Sequence, residues 1–88
     1  MTVTAQEYIA KLLSAYEDVT GEPYFKIAED MEIALSNYYH YRNGTGNPTT
    51  NTINKIMAVI QMNHPEVIIK TTEQYLLQLK LEQSGNST

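Results

Sequence analysis

Glycine and proline fall in this chain at only a few points, namely Gly21 and Pro23, then Gly44, Gly46 and Pro48, then Pro65 and Gly85, and between those points apolar residues recur three and four apart. That spacing collects apolar side chains on one face of an α-helix, and the intervals are the length of short helices. An all-α chain is expected, with five helices on the single core that 88 residues can support.

In Val3-Thr4-Ala5-Gln6-Glu7-Tyr8, Thr4 and Glu7 have capping-box spacing, and Val3 and Tyr8 are placed as a hydrophobic staple. The stripe Tyr8, Ile9, Leu12, Leu13 and Tyr16 carries this first helix to about Glu17, and Thr20-Gly21-Glu22-Pro23 stops it. Pro23 opens a second helix with Phe25, Ile27, Ala28 and Met31 inward and Glu29, Asp30 and Glu32 toward solvent. A third runs from Ala34 to about Arg42 and ends at Asn43-Gly44, with Gly44 as a left-handed C-cap. Beyond the loop 44–48, Thr49 or a neighbour caps a fourth helix with the stripe Ile53, Ile56, Met57 and Ile60. Met62-Asn63-His64-Pro65-Glu66-Val67 repeats the opening device, Asn63 with Glu66 and Met62 with Val67, and starts a fifth helix running to about Glu82. The β-branched run 67–72 leaves an intermolecular strand as the alternative there. The expected organisation is one domain over 1–83, with its last helix at about 64–82, and a disordered tail over 84–88.

Several chemistries are excluded by what the chain lacks. It has no cysteine, and two histidines, His40 and His64, 24 residues apart make poor zinc ligands, so burial of apolar surface must supply stability. It has no phosphate loop, no His-Glu-x-x-His and no Gly-x-Ser-x-Gly, and its carboxylates read as helix solvent faces; no enzyme and no cofactor is expected. Its apolar runs are too short to cross a membrane and its start is unlike a secretory signal, so a cytoplasmic protein without a membrane partner is expected.

The net charge of −4 speaks against nucleic acid as a bulk quantity. It is unevenly spread. Residues 1–32 hold seven acids (Glu7, Glu17, Asp18, Glu22, Glu29, Asp30, Glu32) against Lys11 and Lys26, a balance of −5. Residues 33–65 hold no acid and carry Arg42 and Lys55, a balance of +2, while 66–88 set three glutamates against two lysines, a balance of −1. Only the middle third suits a polyanion.

That third lies within a pattern that resembles a known family. Ala28-Glu-Asp-Met31-Glu-Ile33, then Ser36-Asn37-Tyr38-Tyr39-His40-Tyr41-Arg42-Asn43-Gly44, then Pro48 and Ile53 to Ile60, resembles the Cro/phage-repressor (XRE-like) helix-turn-helix domain over roughly residues 5–70. A small residue at Ala28 lets the two helices of the motif approach, and Met31, Ile33, Tyr38 and Tyr41 take its inward positions. The family usually has glycine in the turn, where Glu32 stands, and a branched aliphatic where Tyr38 stands. Glu32 is therefore expected in the left-handed conformation, at a cost of about 1 kcal/mol.

The resemblance implies a compact lambda-repressor-like domain that binds an operator in double-stranded DNA as a prokaryotic phage- or prophage-type repressor. Leu35, Ser36, Asn37, Tyr39 and His40 would then face base edges. Large groups at Leu35, Tyr38, Tyr39 and Tyr41 cannot all share one helix face, so Tyr38 and Tyr41 are placed inside and Leu35 and Tyr39 outside. Arg42 either grips a phosphate or satisfies the negative end of its helix. Tyr24, Lys26, Asn43, Thr45 and Lys55 are further backbone-contact candidates, each equally readable as solvated surface. A dimer neutralising about six phosphates would lose affinity with a log–log salt slope of roughly −5.

On the fifth helix Ile68, Thr72, Tyr75, Leu76 and Leu79 cover one arc, and Ile69, Leu77 and Leu81 extend it to roughly 240°. That is more than one core needs, so Ile69, Tyr75, Leu77 and Leu81 are expected at a homodimer interface, the alternative being a helix wrapped by the first and fourth. A second function class, a protein-interaction module such as an antitoxin or antirepressor binding another regulatory protein through this helix, is favoured by the acidic first third.

Overall fold

The computed structural model describes residues 5–86 of the chain. Five helices follow in order: α1 (Ala5–Thr20), α2 (Tyr24–Asp30), α3 (Leu35–Arg42), α4 (Thr50–Asn63) and α5 (Pro65–Asn86). No strand occurs among the described residues, so the run 67–72 is helical. None of these helices is long and apolar enough to cross a membrane.

The helix ends are set by local chemistry. Gly21 donates its N–H to the Glu17 carbonyl at 2.9 Å and closes α1. At the end of α2, Glu32 takes φ 57°, the left-handed value expected for it. Its N–H reaches the Glu29 carbonyl (3.0 Å) and the Ile33 N–H the Ala28 carbonyl (2.9 Å), the paired bonds of a Schellman ending. Gly44 (φ 76°) repeats this after α3, with Gly44 N–H on Tyr41 and Thr45 N–H on His40. Thr49 caps α4, its hydroxyl accepting from the Thr52 N–H at 3.2 Å.

Glu32→Gly should stabilise the domain by up to about 1 kcal/mol. It removes a left-handed cost of about 1–2 kcal/mol, partly offset by the greater freedom of glycine in the unfolded chain. A urea midpoint that fell at constant m-value would show instead that the Glu32 side chain contributes to the turn.

The core gathers Ile9, Leu12, Leu13 and Tyr16 from α1, Ile27 and Ala28 from α2 with Met31 just beyond it, Tyr38 from α3, Ile56 and Ile60 from α4, and Val67 from α5. Thr71 is buried beside them. Helix α1 packs on α3 and α5, α4 on α5, and α2 on α3. Contacts between α1 and α5 run antiparallel. The amide of Asn63, just before α5, donates to the Tyr16 hydroxyl at 3.1 Å; further on, Tyr8 shares a 2.8 Å hydrogen bond with Thr72 and meets the Tyr75 ring edge-on.

Three expectations are corrected. Phe25 is not inward but 62 % exposed, because it lies about 200° round α2 from Ile27. The box of Asn63 with Glu66 does not form: Asn63 stays in α4, Met62 is 82 % exposed, and α5 begins at Pro65. Proline favours the first helical position and forces the residue before it out of the helical region, so His64 (ψ 69°) makes the break one residue late. There His64 Nδ1 meets the Glu66 carboxylate at 3.0 Å; the Glu66 carboxyl is held below its usual value, first by its own backbone N–H and then by His64. Finally, α5 runs to Asn86, past the expected Glu82, so 84–86 continue the helix. The Val3 and Thr4 positions of the first cap, and residues 87–88, lie outside the described residues.

Candidate nucleic-acid interface

Helices α2 and α3 are joined by a short turn that contains the left-handed Glu32, and they pack on each other. The inward positions of this pair are filled as expected: Ile27, Ala28, Met31 and Tyr38 are buried, and Ile33 and Tyr41 pack on them half-buried. The outward positions Leu35, Ser36, Asn37, Tyr39 and His40 are all exposed. Ser36, His40 and Asn43 follow one another at four- and three-residue steps along the middle of this row. Leu35 and Tyr39 flank it on the side of α2, where with Pro23, Tyr24 and Phe25 they line an open apolar cleft of about 370 Å³.

The row is held in place by an acid that sequence reasoning assigned to solvent. The Glu17 side chain is only 9 % exposed and brackets α3 from α1. Tyr38 donates its hydroxyl to Glu17 Oε2 at 2.7 Å, and Arg42 Nε donates to Glu17 Oε1 at 3.1 Å. Glu17 stands four residues after Leu13, on the flank of the buried stripe, and its two donors are four apart on α3. Those spacings are legible in the sequence, but not that the two flanks meet. Burial first, and then the hydrogen bond to Glu17, pushes the Tyr38 phenol well above its usual pKa. Glu17 likewise raises Arg42 through its hydrogen bond.

The backbone-contact candidates are placed unevenly. Arg42 is engaged by Glu17 and lies 5.9 Å from the centre of the Tyr24 ring, whose edge-to-face contact with Tyr39 (5.4 Å) continues the aromatic row. Lys26 is exposed and pairs with Asp30 at 3.0 Å. The Thr45 hydroxyl donates to the His40 carbonyl and lies 3.3 Å from His40 Nδ1, so it orients a member of the row. Asn43 is exposed. Lys55 is half-buried on α4, whose main helix partner is α5.

Of the expected interface on α5, Ile69, Leu77 and Leu81 are exposed, whereas Tyr75 turns inward onto Tyr8. Leu76, on the same arc as Tyr75 and not among the expected interface residues, is exposed as well. The inner face is set by Val67 and Thr71, which centres it away from Leu76.

No protein-family model, curated protein or solved structure matches the chain.

Proposed function

We propose that the protein is a sequence-specific DNA-binding regulator that lays α3 in the major groove and works as a homodimer on a palindromic operator. The observation that carries this reading is the α2–turn–α3 unit, closed by a left-handed residue and presenting an outward row without a carboxylate. Ser36, Asn37 and His40 offer donors and acceptors to base edges, and Leu35 and Tyr39 offer apolar contact to a thymine methyl. The Glu17 bracket supports it by fixing the helix that carries the row. As a repressor, the dimer would bind half-sites about 34 Å apart and block transcription by occupancy.

Electrostatics narrow the reading. With Arg42 engaged by Glu17, the phosphate contacts of each protomer fall to Lys26, whose exposed pair with Asp30 exchanges readily, and Lys55. Four neutralised phosphates per dimer give a log–log salt slope of about −3.6 rather than the steeper value that three cations per protomer would produce.

In vitro selection from random duplexes, followed by fluorescence anisotropy, tests this. One sequence class should be enriched, with a salt slope between about −3 and −4. Ser36→Ala or His40→Ala should cost about 1–3 kcal/mol on that sequence, and Lys26→Ala should weaken all sequences alike and flatten the slope. No enrichment, or a slope near zero, would overturn the reading. The large apolar groups exposed on α5 favour the second reading, a protein-interaction module. It predicts that changes on α3 leave complex formation intact and that Leu77→Glu destroys it.

A further inference from the structure

We infer that the outer face of α5 seats a second copy of this chain in antiparallel orientation, about a two-fold axis between Leu76 and Leu77, with Glu73 of each copy opposite Lys80 of the other. This rests on the homodimer of the proposed reading and supplies the register that reading lacks. Ile69, Leu76, Leu77 and Leu81 are each more than half exposed. With Ile69 at 0° and about 100° per residue, Leu76, Lys80, Glu73 and Leu77 fall at about −20°, 20°, 40° and 80°. They form a single face turned away from Val67 and Thr71, which bury the other side against α1 and α4.

The charges on that face select the pairing. Glu73 and Lys80 are both exposed, near its centre line, and seven residues apart, which is two helical turns. A parallel pair would set Glu73 against Glu73 and Lys80 against Lys80. An antiparallel pair shifted to bring Ile69 onto the partner's Leu77 would centre on Glu73 and again oppose two carboxylates. Centring between Leu76 and Leu77 instead places Glu73 opposite the partner's Lys80 twice over, and brings the four leucines 76 and 77 of the two copies together between these ion pairs. A two-fold interface must be self-complementary, and here opposite charges at equal distances from the axis make it so.

Reversing one charge makes each copy repel its like while leaving the two altered chains complementary. Glu73→Lys alone and Lys80→Glu alone should each raise the dimer dissociation constant about tenfold or more, in sedimentation velocity with helicity checked by circular dichroism. An equimolar mixture of the two should recover dimer at wild-type concentrations. In that mixed pair the introduced lysine of one chain faces the introduced glutamate of the other, and the retained Lys80 faces the retained Glu73. Single variants that dimerise like wild type, or a mixture that stays monomeric, would overturn the register, and a wild-type chain monomeric at all concentrations would overturn the pairing itself. Duplex binding measured on the same samples separates the two readings: a monomer that binds the selected duplex leaves DNA recognition standing, and a dimer that binds none leaves the α5 pairing standing.

Discussion

Truncating Tyr38 to alanine is expected to cost about 3–5 kcal/mol and to leave the domain at best marginally folded. The ring is fully buried where α1, α2 and α3 meet, and removing a large aromatic from such a site loses its transfer free energy and leaves a cavity. Domains of this size have only about 5–15 kcal/mol in hand. Tyr38→Phe keeps the packing and loses only the hydroxyl's bond to the Glu17 carboxylate, so its expected cost is about 1.5–3 kcal/mol.

The two variants also separate packing from titration. Because burial raises the Tyr38 pKa, the folded chain keeps a proton that the unfolded chain releases near pH 10. The stability this proton contributes is present below pH 10 and lost as pH rises above it, by up to about 1.4 kcal/mol per pH unit. Urea midpoints at pH 9 and pH 11 should therefore converge for wild type and Tyr38→Phe. A gap that stayed constant would mean the hydroxyl is not shielded in the folded protein.

The second large effect is at Glu17. Glu17→Ala is expected to destabilise by about 2–4 kcal/mol, because it strands the buried Tyr38 hydroxyl and leaves Arg42 without its acceptor in a half-buried site. For a domain of this length that lowers Tm by roughly 10–25 °C. Glu17→Gln, which keeps an acceptor for Tyr38, should cost less. In a double-mutant cycle Tyr38→Phe should cost markedly less in the Glu17→Ala background than in wild type, since the hydroxyl then has no partner to lose. Additive effects, or a Glu17→Ala cost below about 0.5 kcal/mol, would make Glu17 an ordinary surface acid.

Glu17 also explains how tyrosine is accommodated at position 38, where the resembled pattern has a branched aliphatic. A buried phenol needs a partner, and α1 supplies one. The stripes of α1 and α4, the Thr49 cap and the split of Tyr38 and Tyr41 inside from Leu35 and Tyr39 outside were legible within single helices, whereas the left-handed Glu32 followed only from the resemblance and Phe25 was misplaced on α2. Patterns depending on two elements at once were not legible. Asn63 had the spacing of a cap, but Pro65 set the start of α5 and the Tyr16 hydroxyl took the Asn63 amide. Leu76 and Tyr75 stood on one arc of the helix, yet Tyr8 drew Tyr75 inward and Leu76 was left outside.

By itself, then, the amino-acid order determined the five helices, the breaks at Gly21-Glu22-Pro23 and around Gly44, most of the core and an acid-free outward row on α3, because each depends on near neighbours in the chain. Tertiary packing alone decided that an acid of α1 grips Tyr38 and Arg42 of α3, and which apolar arc of α5 remained uncovered. Those outcomes depend on residues 21 and 25 apart in the chain meeting in space, and on how far α1 and α4 reach around α5. No local spacing encodes such distances.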